Sequence, residues 1–164
     1  MTGFAEAIAY GAATIVNAIS IDKGAAFGVD LYTRARVTLT SEPGHFSGHI
    51  TSDPSENDSL IRASVLTVLR HFGAETRFGA EVETDSNIPI ARGLKSSSAA
   101  ANALVLATIG ALDNSLDDES TMALSVDAAV EAKTTITGAY DDTCASFLGG
   151  IVVTNNSKRA LLKV

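Results

Sequence analysis

The stretch that most constrains this chain is PIARGLKSSSAAA, residues 89–101. Proline fixes the entry to a turn, Gly93 permits a left-handed backbone, and three serines lead straight into an alanine-rich helix former. A helix that begins there leaves its first amide N–H groups without carbonyl partners and sets them beside three hydroxyls, at the positive end of its dipole. That end suits an anion, phosphate above all. One serine ahead of such a helix is explained as an N-cap; three in a row after Pro-x-x-x-Gly-Leu go beyond that need. Two common nucleotide motifs are excluded. Lys95 follows Leu94 and not glycine, as a Walker loop would require, and Gly93 is the only glycine of the turn, so no dinucleotide fingerprint is present.

With 164 residues the chain can bury one proper core but not two. Hydrophobic residues make up 46% and aromatics 5%, with no Trp, so that core must be built from Ala, Val, Ile and Leu. A net charge of −7 argues against nucleic acid or an anionic membrane as the main partner. Cys144 is the sole cysteine, so no internal disulfide forms and a reducing cytoplasm is the expected location. The apolar N-terminus carries Glu6, is interrupted by Gly and polar residues, and lacks a basic leader; it reads as buried strand, not as an anchor or signal.

Periodicity predicts short strands, or a buried hairpin, at 4–10 and 14–21, then a glycine-punctuated link at 23–28. Residues 31–39 alternate as a half-buried strand, and 41–58 read as loop. A helix follows over 60–72 with Gly73 at its C-terminal cap, and a strand over 77–84. Residues 98–112 form a helix apolar on nearly every side, hence buried. An acidic loop at 113–119, an amphipathic helix at 121–133 and a polar turn at 134–142 come next, and strands at 151–154 and 159–164 close the chain. The order β-β-β-α-β-α-α-β-β predicts an α+β fold, a mixed sheet with helices on one side.

A second constellation is Glu131 with Asp141 and Asp142. Phosphoryl transfer needs a carboxylate to hold magnesium and another to orient or deprotonate the attacking hydroxyl. Adjacent aspartates also occur in any solvated turn or helix cap. His45 and His49 stand four apart in a Pro- and Gly-rich stretch with too few further ligands for zinc, and Cys144 reads as a small core residue.

PIARGLKSSSAA resembles the second signature of the GHMP kinases (galactokinase, homoserine kinase, mevalonate kinase, phosphomevalonate kinase), Pro-x-x-x-Gly-Leu-Gly-Ser-Ser-Ala. Lys95 replaces the second glycine and Ser98 is an extra serine. The GLKSSSA variant, with AYGAATIVNAISIDKGAAFGVDL near the start and TGAYDDTCASFLGGIVVTNN near the end, resembles the archaeal-type shikimate kinases. The resemblance implies a GHMP-kinase N-terminal domain over 1–154 with a left-handed βαβ unit at the phosphate loop, and residues 155–164 as the start of an incomplete C-terminal domain. It implies ATP- and Mg2+-dependent phosphorylation of a small-molecule hydroxyl, shikimate to shikimate 3-phosphate, with homoserine or mevalonate as alternative acceptors. A non-catalytic half that needs a complementing C-terminal chain is the reading from another class, and a homodimer would follow if an apolar face were left uncovered.

The same resemblance implies roles. Pro89, Ile90, Ala91, Arg92, Gly93, Leu94, Lys95, Ser96, Ser97, Ser98 and Ala99 would wrap the nucleotide phosphates. Ser97, with Ser96 or Ser98 left open, and Glu131 would hold magnesium. Glu131 and Asp142 have the eleven-residue spacing of magnesium ligand and base in mevalonate kinase-like members, and Asp142 also precedes Ser146 and Gly149 by the family's intervals. Distance from Gly138 favours Asp141 instead, so both stand as candidates for the base, with Lys95 neutralising charge on the phosphoryl group. Asn17, Asp22, Lys23 and Arg34 are the polar candidates for the acceptor, the last two as cationic partners of its carboxylate.

Overall fold

A computed structural model describes residues 3–19, 21–54, 56–89, 92–135 and 138–164. Its elements are β1 (Phe4–Val16), β2 (Lys23–Thr40), β3 (Phe46–Ile50), α1 (Ser59–His71), β4 (Gly79–Ser86), α2 (Ser96–Ala111), α3 (Asp118–Glu131), α4 (Tyr140–Leu148), β5 (Ile151–Asn155) and β6 (Ala160–Lys163). The six strands form one mixed sheet in the order β3-β4-β2-β5-β6, with β1 on the other edge of β2. The β3–β4 pair is parallel, joined through α1, and the other pairings are antiparallel. This is the α+β mixed sheet that the sequence predicts.

The helices cover one face. Inward-facing Ala35, Val37, Leu39 and Ala80 meet Ile61, Val65, Leu69 and Leu104 of α1 and α2. A second cluster joins Ala12, Ala26 and Val152 to Met122, Val126 and Cys144 of α3 and α4. The opposite face leaves Phe4, Ile8, Tyr10, Phe27 and Ile151 exposed, with Glu6 pairing to Arg36 across it. Helix α2 lies in the middle of the helical layer and is buried on almost every side, as its alanine-rich sequence requires. Among the described residues no helix is long and apolar enough to cross a membrane.

Three local expectations change. Residues 4–16 are one strand, not two, with a register irregularity between Tyr10 and Gly11 where a hairpin turn was expected. The glycine-punctuated link is the first third of the 18-residue β2. Its glycines mark close approach, not a turn: a Cβ on Gly24 would stand 2.5–2.7 Å from the Asp141 side chain, and one on Gly28 3.1 Å from Ala145 O and Gly149 Cα. Helix α4 is packed against bare backbone there. The expected polar turn is, in its last three residues, the first turn of α4, whose N-cap is Ala139 (φ 44°) with no side-chain cap to announce it. Within the expected loop 41–58, the short edge strand β3 adds to β4.

Since β2 pairs with β4 through residues 33–40 and with β5 through 23–27, its intervening stretch faces neither strand. The turn that follows β4 crosses the sheet at this height, because Ala12, which delivers an N–H to Leu94 O, lies opposite Gly28.

Candidate functional site

The Ser-rich turn and the two aspartates of the second constellation, without Glu131, meet in one cleft of about 560 Å3. The first wall is the Ser-rich turn. Its carbonyl at Leu94 accepts from Ala12 N at 3.2 Å, and a Cβ on Gly11 would lie 3.0 Å from that oxygen, so a small residue in β1 lets the turn lie against the strand. Lys95 caps α2 in the left-handed conformation (φ 57°), and the helix's first bond runs from Ala99 N to Lys95 O at 3.1 Å. Among the described residues the amides of Ser96, Ser97 and Ser98 have no backbone acceptor, and they stand at the positive end of a 16-residue helix.

The second wall is the start of α4. Asp141 and Asp142 occupy its first turn, where carboxylates favour the dipole, yet both are buried. Lys95 Nζ reaches across the cleft to Asp142 Oδ2 at 3.0 Å, and Thr14 Oγ1 donates to Asp142 Oδ1 at 3.3 Å. Burial pushes the Asp142 carboxyl above the ordinary carboxylate range; the charge of Asp141 adds to the effect, while Lys95 and Thr14 oppose it. Asp141 Oδ1 accepts from Asn156 Nδ2 at 2.7 Å. The thiol of Cys144, deep in α4, is pushed up to about 12 by burial, which suits a core residue and not a nucleophile.

Of the residues singled out in the sequence, Pro89, Arg92–Ser98, Asn17, Asp141 and Asp142 line this cleft. Ala99 lies buried one step inside α2, and Ile90 and Ala91 fall outside the described residues. Glu131 is not brought in. Ala129 of α3 faces the cleft, so a residue two positions on turns away, and Glu131 instead pairs with Arg70 Nη1 at 3.1 Å on the surface. Arg34 is on the uncovered sheet face, 3.5 Å from Glu6, and is therefore not a cleft cation. Asp22 and Lys23 are exposed at the mouth of β2 and do not line the cleft. The cleft cations are Arg92 and Lys95, and Arg92 makes no ion pair among the described residues.

Thr14, Gly24 and Asn156 were missed. Thr14 follows a run of small residues with nothing to distinguish it from a strand threonine, and Asn156 stands in an Asn-Asn-Ser turn typical of any loop. Gly24→Ala is expected to destabilise the chain by about 1–3 kcal/mol through overpacking against Asp141. A urea melt unchanged within error would remove the close-approach argument.

A narrower cavity of about 160 Å3 shares Ser96, Ser97 and Thr134 with the cleft and continues to Ile50, Leu60 and Ile88. The start of α2 thus divides the cleft of Lys95 and the two aspartates from a smaller one in which Ile50, Leu60 and Ile88 stand beside Ser52, Glu56 and Asn57.

Residues 59–150 match the GHMP kinases N terminal domain family, a span that holds the Ser-rich turn and both aspartates. The chain belongs to this family. A homoserine kinase from Cytophaga hutchinsonii superposes on all of the chain and 52% of its own, with a TM-score of 0.83 at 20% identity, a likeness of fold. A shikimate kinase of Methanococcoides burtonii is 52% identical over 99% of the chain and 56% of its own length. A shikimate kinase of Methanothrix thermoacetophila is 50% identical over 99% and 54%. The chain spans about half the length of these curated relatives.

Proposed function

We propose that the chain is the nucleotide-binding part of a cytoplasmic, ATP-dependent kinase of a small-molecule hydroxyl, and that the acceptor is shikimate, phosphorylated to shikimate 3-phosphate. The observation that carries this reading is the 3.0 Å contact between Lys95 and Asp142, which joins the phosphate turn to the carboxylates in one cleft. The names of the half-identical relatives support the acceptor. Residues 1–154 would form the nucleotide-binding domain, with 155–164 leading out of it.

The amides of Ser96–Ser98, without a backbone acceptor among the described residues, fit a polyphosphate, and the smaller cavity beyond them would take the nucleoside end, which leaves the cleft of Lys95 and the aspartates to the acceptor. Bound ATP would supply the transferable phosphoryl group. Asp142 would orient the acceptor hydroxyl and take its proton, a role to which its raised proton affinity suits it. Lys95, already at the carboxylate, would offset charge as the phosphoryl group passes. For magnesium the fit is partial: Ser97 offers a hydroxyl in the cleft, whereas Glu131 is held by Arg70 outside it, and no group of three acidic, His or Cys side chains gathers among the described residues.

Arg92, the cleft cation that makes no ion pair among the described residues, is the natural partner for the acceptor's carboxylate. Arg92→Met should raise KM for the acceptor about 10- to 100-fold and leave kcat within threefold, the loss of one charge-assisted contact. The functional reading is tested by ADP release with shikimate, homoserine and mevalonate, using the chain alone and with the remaining half of its relatives. Turnover of shikimate ahead of the others is expected. Turnover of none of them would reject the reading.

A further inference from the structure

Behind Asp141 stands a run of buried polar groups that the mechanism above does not use. Thr154, fully buried, donates its hydroxyl proton to Asn156 Oδ1 at 2.7 Å. Its contact with Gly24 O is 3.5 Å, so the single hydroxyl proton goes to the amide. With Oδ1 so engaged, Asn156 presents Nδ2 to Asp141 Oδ1, at 2.7 Å. Asn156 is itself anchored, since its backbone N–H donates to Asp22 O at 2.7 Å. The reverse amide orientation would set two oxygens against each other at that distance and is excluded while Asp141 is ionised. The opposite side of the carboxyl group is closed by the bare backbone of Gly24.

We propose that Thr154 and Asn156 act as positioning residues of the phosphoryl-transfer site, a relay that holds the Asp141 carboxylate in one orientation beside Asp142. The proposal rests on the kinase reading above and divides the labour of the two aspartates. Asp141, clamped by an amide donor, is the fixed charge. Asp142, next to it and facing Lys95 and Thr14, is the group free to accept a proton. The relay also ties the catalytic wall to the mouth of β2 and to the end of β5, where sequence reading singled out no site residue.

The test compares Thr154→Val, which keeps the shape and loses the hydroxyl, with Thr154→Ser, which keeps the hydroxyl. Two readouts are taken: steady-state kinetics, and the side-chain amide signals of Asn156 by NMR. Thr154→Val should lower kcat about 10- to 100-fold, the effect of a misplaced reacting group, with KM for both substrates within twofold. It should also remove the protected Asn156 amide signal, and Thr154→Ser should restore both. Asn156→Ala, which keeps the backbone bond to Asp22, should reproduce the kcat loss if Thr154→Val does not fold. Wild-type kcat in a folded Thr154→Val or Asn156→Ala enzyme would overturn the relay alone. A protected amide in a wild-type protein that phosphorylates no alcohol would overturn the kinase reading, and the relay's catalytic role with it.

Discussion

Asp142→Asn should cut turnover about 1000-fold while nucleotide affinity stays within threefold and the fold is unharmed or strengthened. The kinetic half follows from removing a general base, whose contribution spans about 10²–10⁴. The stability half follows from burial. The folded-state proton affinity of Asp142 lies above its ordinary value of 3.8, with desolvation the main cause. Below that value both folded and unfolded chains hold the proton. As pH rises through the window up to the raised value, the unfolded chain releases the proton first and stability is lost. Asparagine carries no such titration, so melting curves of variant and wild type should coincide at low pH and separate, in favour of the variant, towards neutrality. Activity has the matching signature: kcat should fall away on the acid side at a pH higher than an ordinary carboxylate would give. A variant with near-normal turnover, or an acid limb in the ordinary carboxylate range, would remove Asp142 from the role of base.

Lys95 carries the second large effect, and here backbone and side chain pull apart. Its φ of 57° lies in the left-handed region, which disfavours a side chain by about 1–2 kcal/mol and is free for glycine. The related kinase signature has glycine at this place, while this chain accepts the strain and gains an ammonium 3.0 Å from Asp142. Lys95→Gly and Lys95→Ala should therefore lose turnover alike, by about 10²–10³, because both delete the cation facing the transferred charge. They should differ in stability by about 1 kcal/mol in favour of glycine, measured by chemical denaturation. A Lys95→Gly enzyme that keeps wild-type kcat would show that the charge is dispensable.

Both predictions concern residues that stand out in the sequence, and the reason is physical. A turn that must leave helix amides free for an anion needs particular residue types in a fixed order, so PIARGLKSSSAAA announces itself. The α2 helix, apolar on all sides, was legible for the same reason, and so was the alternation of β2 and β4. What failed were inferences from linear spacing and from glycine. Glu131 stands eleven residues before Asp142, but an α-helix sends its position away from the cleft once Ala129 faces inward. Gly24 and Gly28 read as turn signals, whereas they thin a strand so that α4 can lie on it. No local signal separates those uses of glycine, because the partner that needs the space is more than a hundred residues away. Asn156 and Thr154 were invisible on the same ground: a hydrogen-bonded relay is a tertiary fact.

The long strand β2 has one more consequence. It alone touches β1, β4 and β5, so the turn that follows β4 and the aspartates that precede β5 are both referred to one continuous rod of backbone. Each residue of such a rod adds about 3.3 Å. The gap between phosphate wall and carboxylate wall is thereby set by a count of peptide units and not by the many loops around it. Loops can lengthen, shorten or change composition without altering the ruler on which the chemistry is marked out.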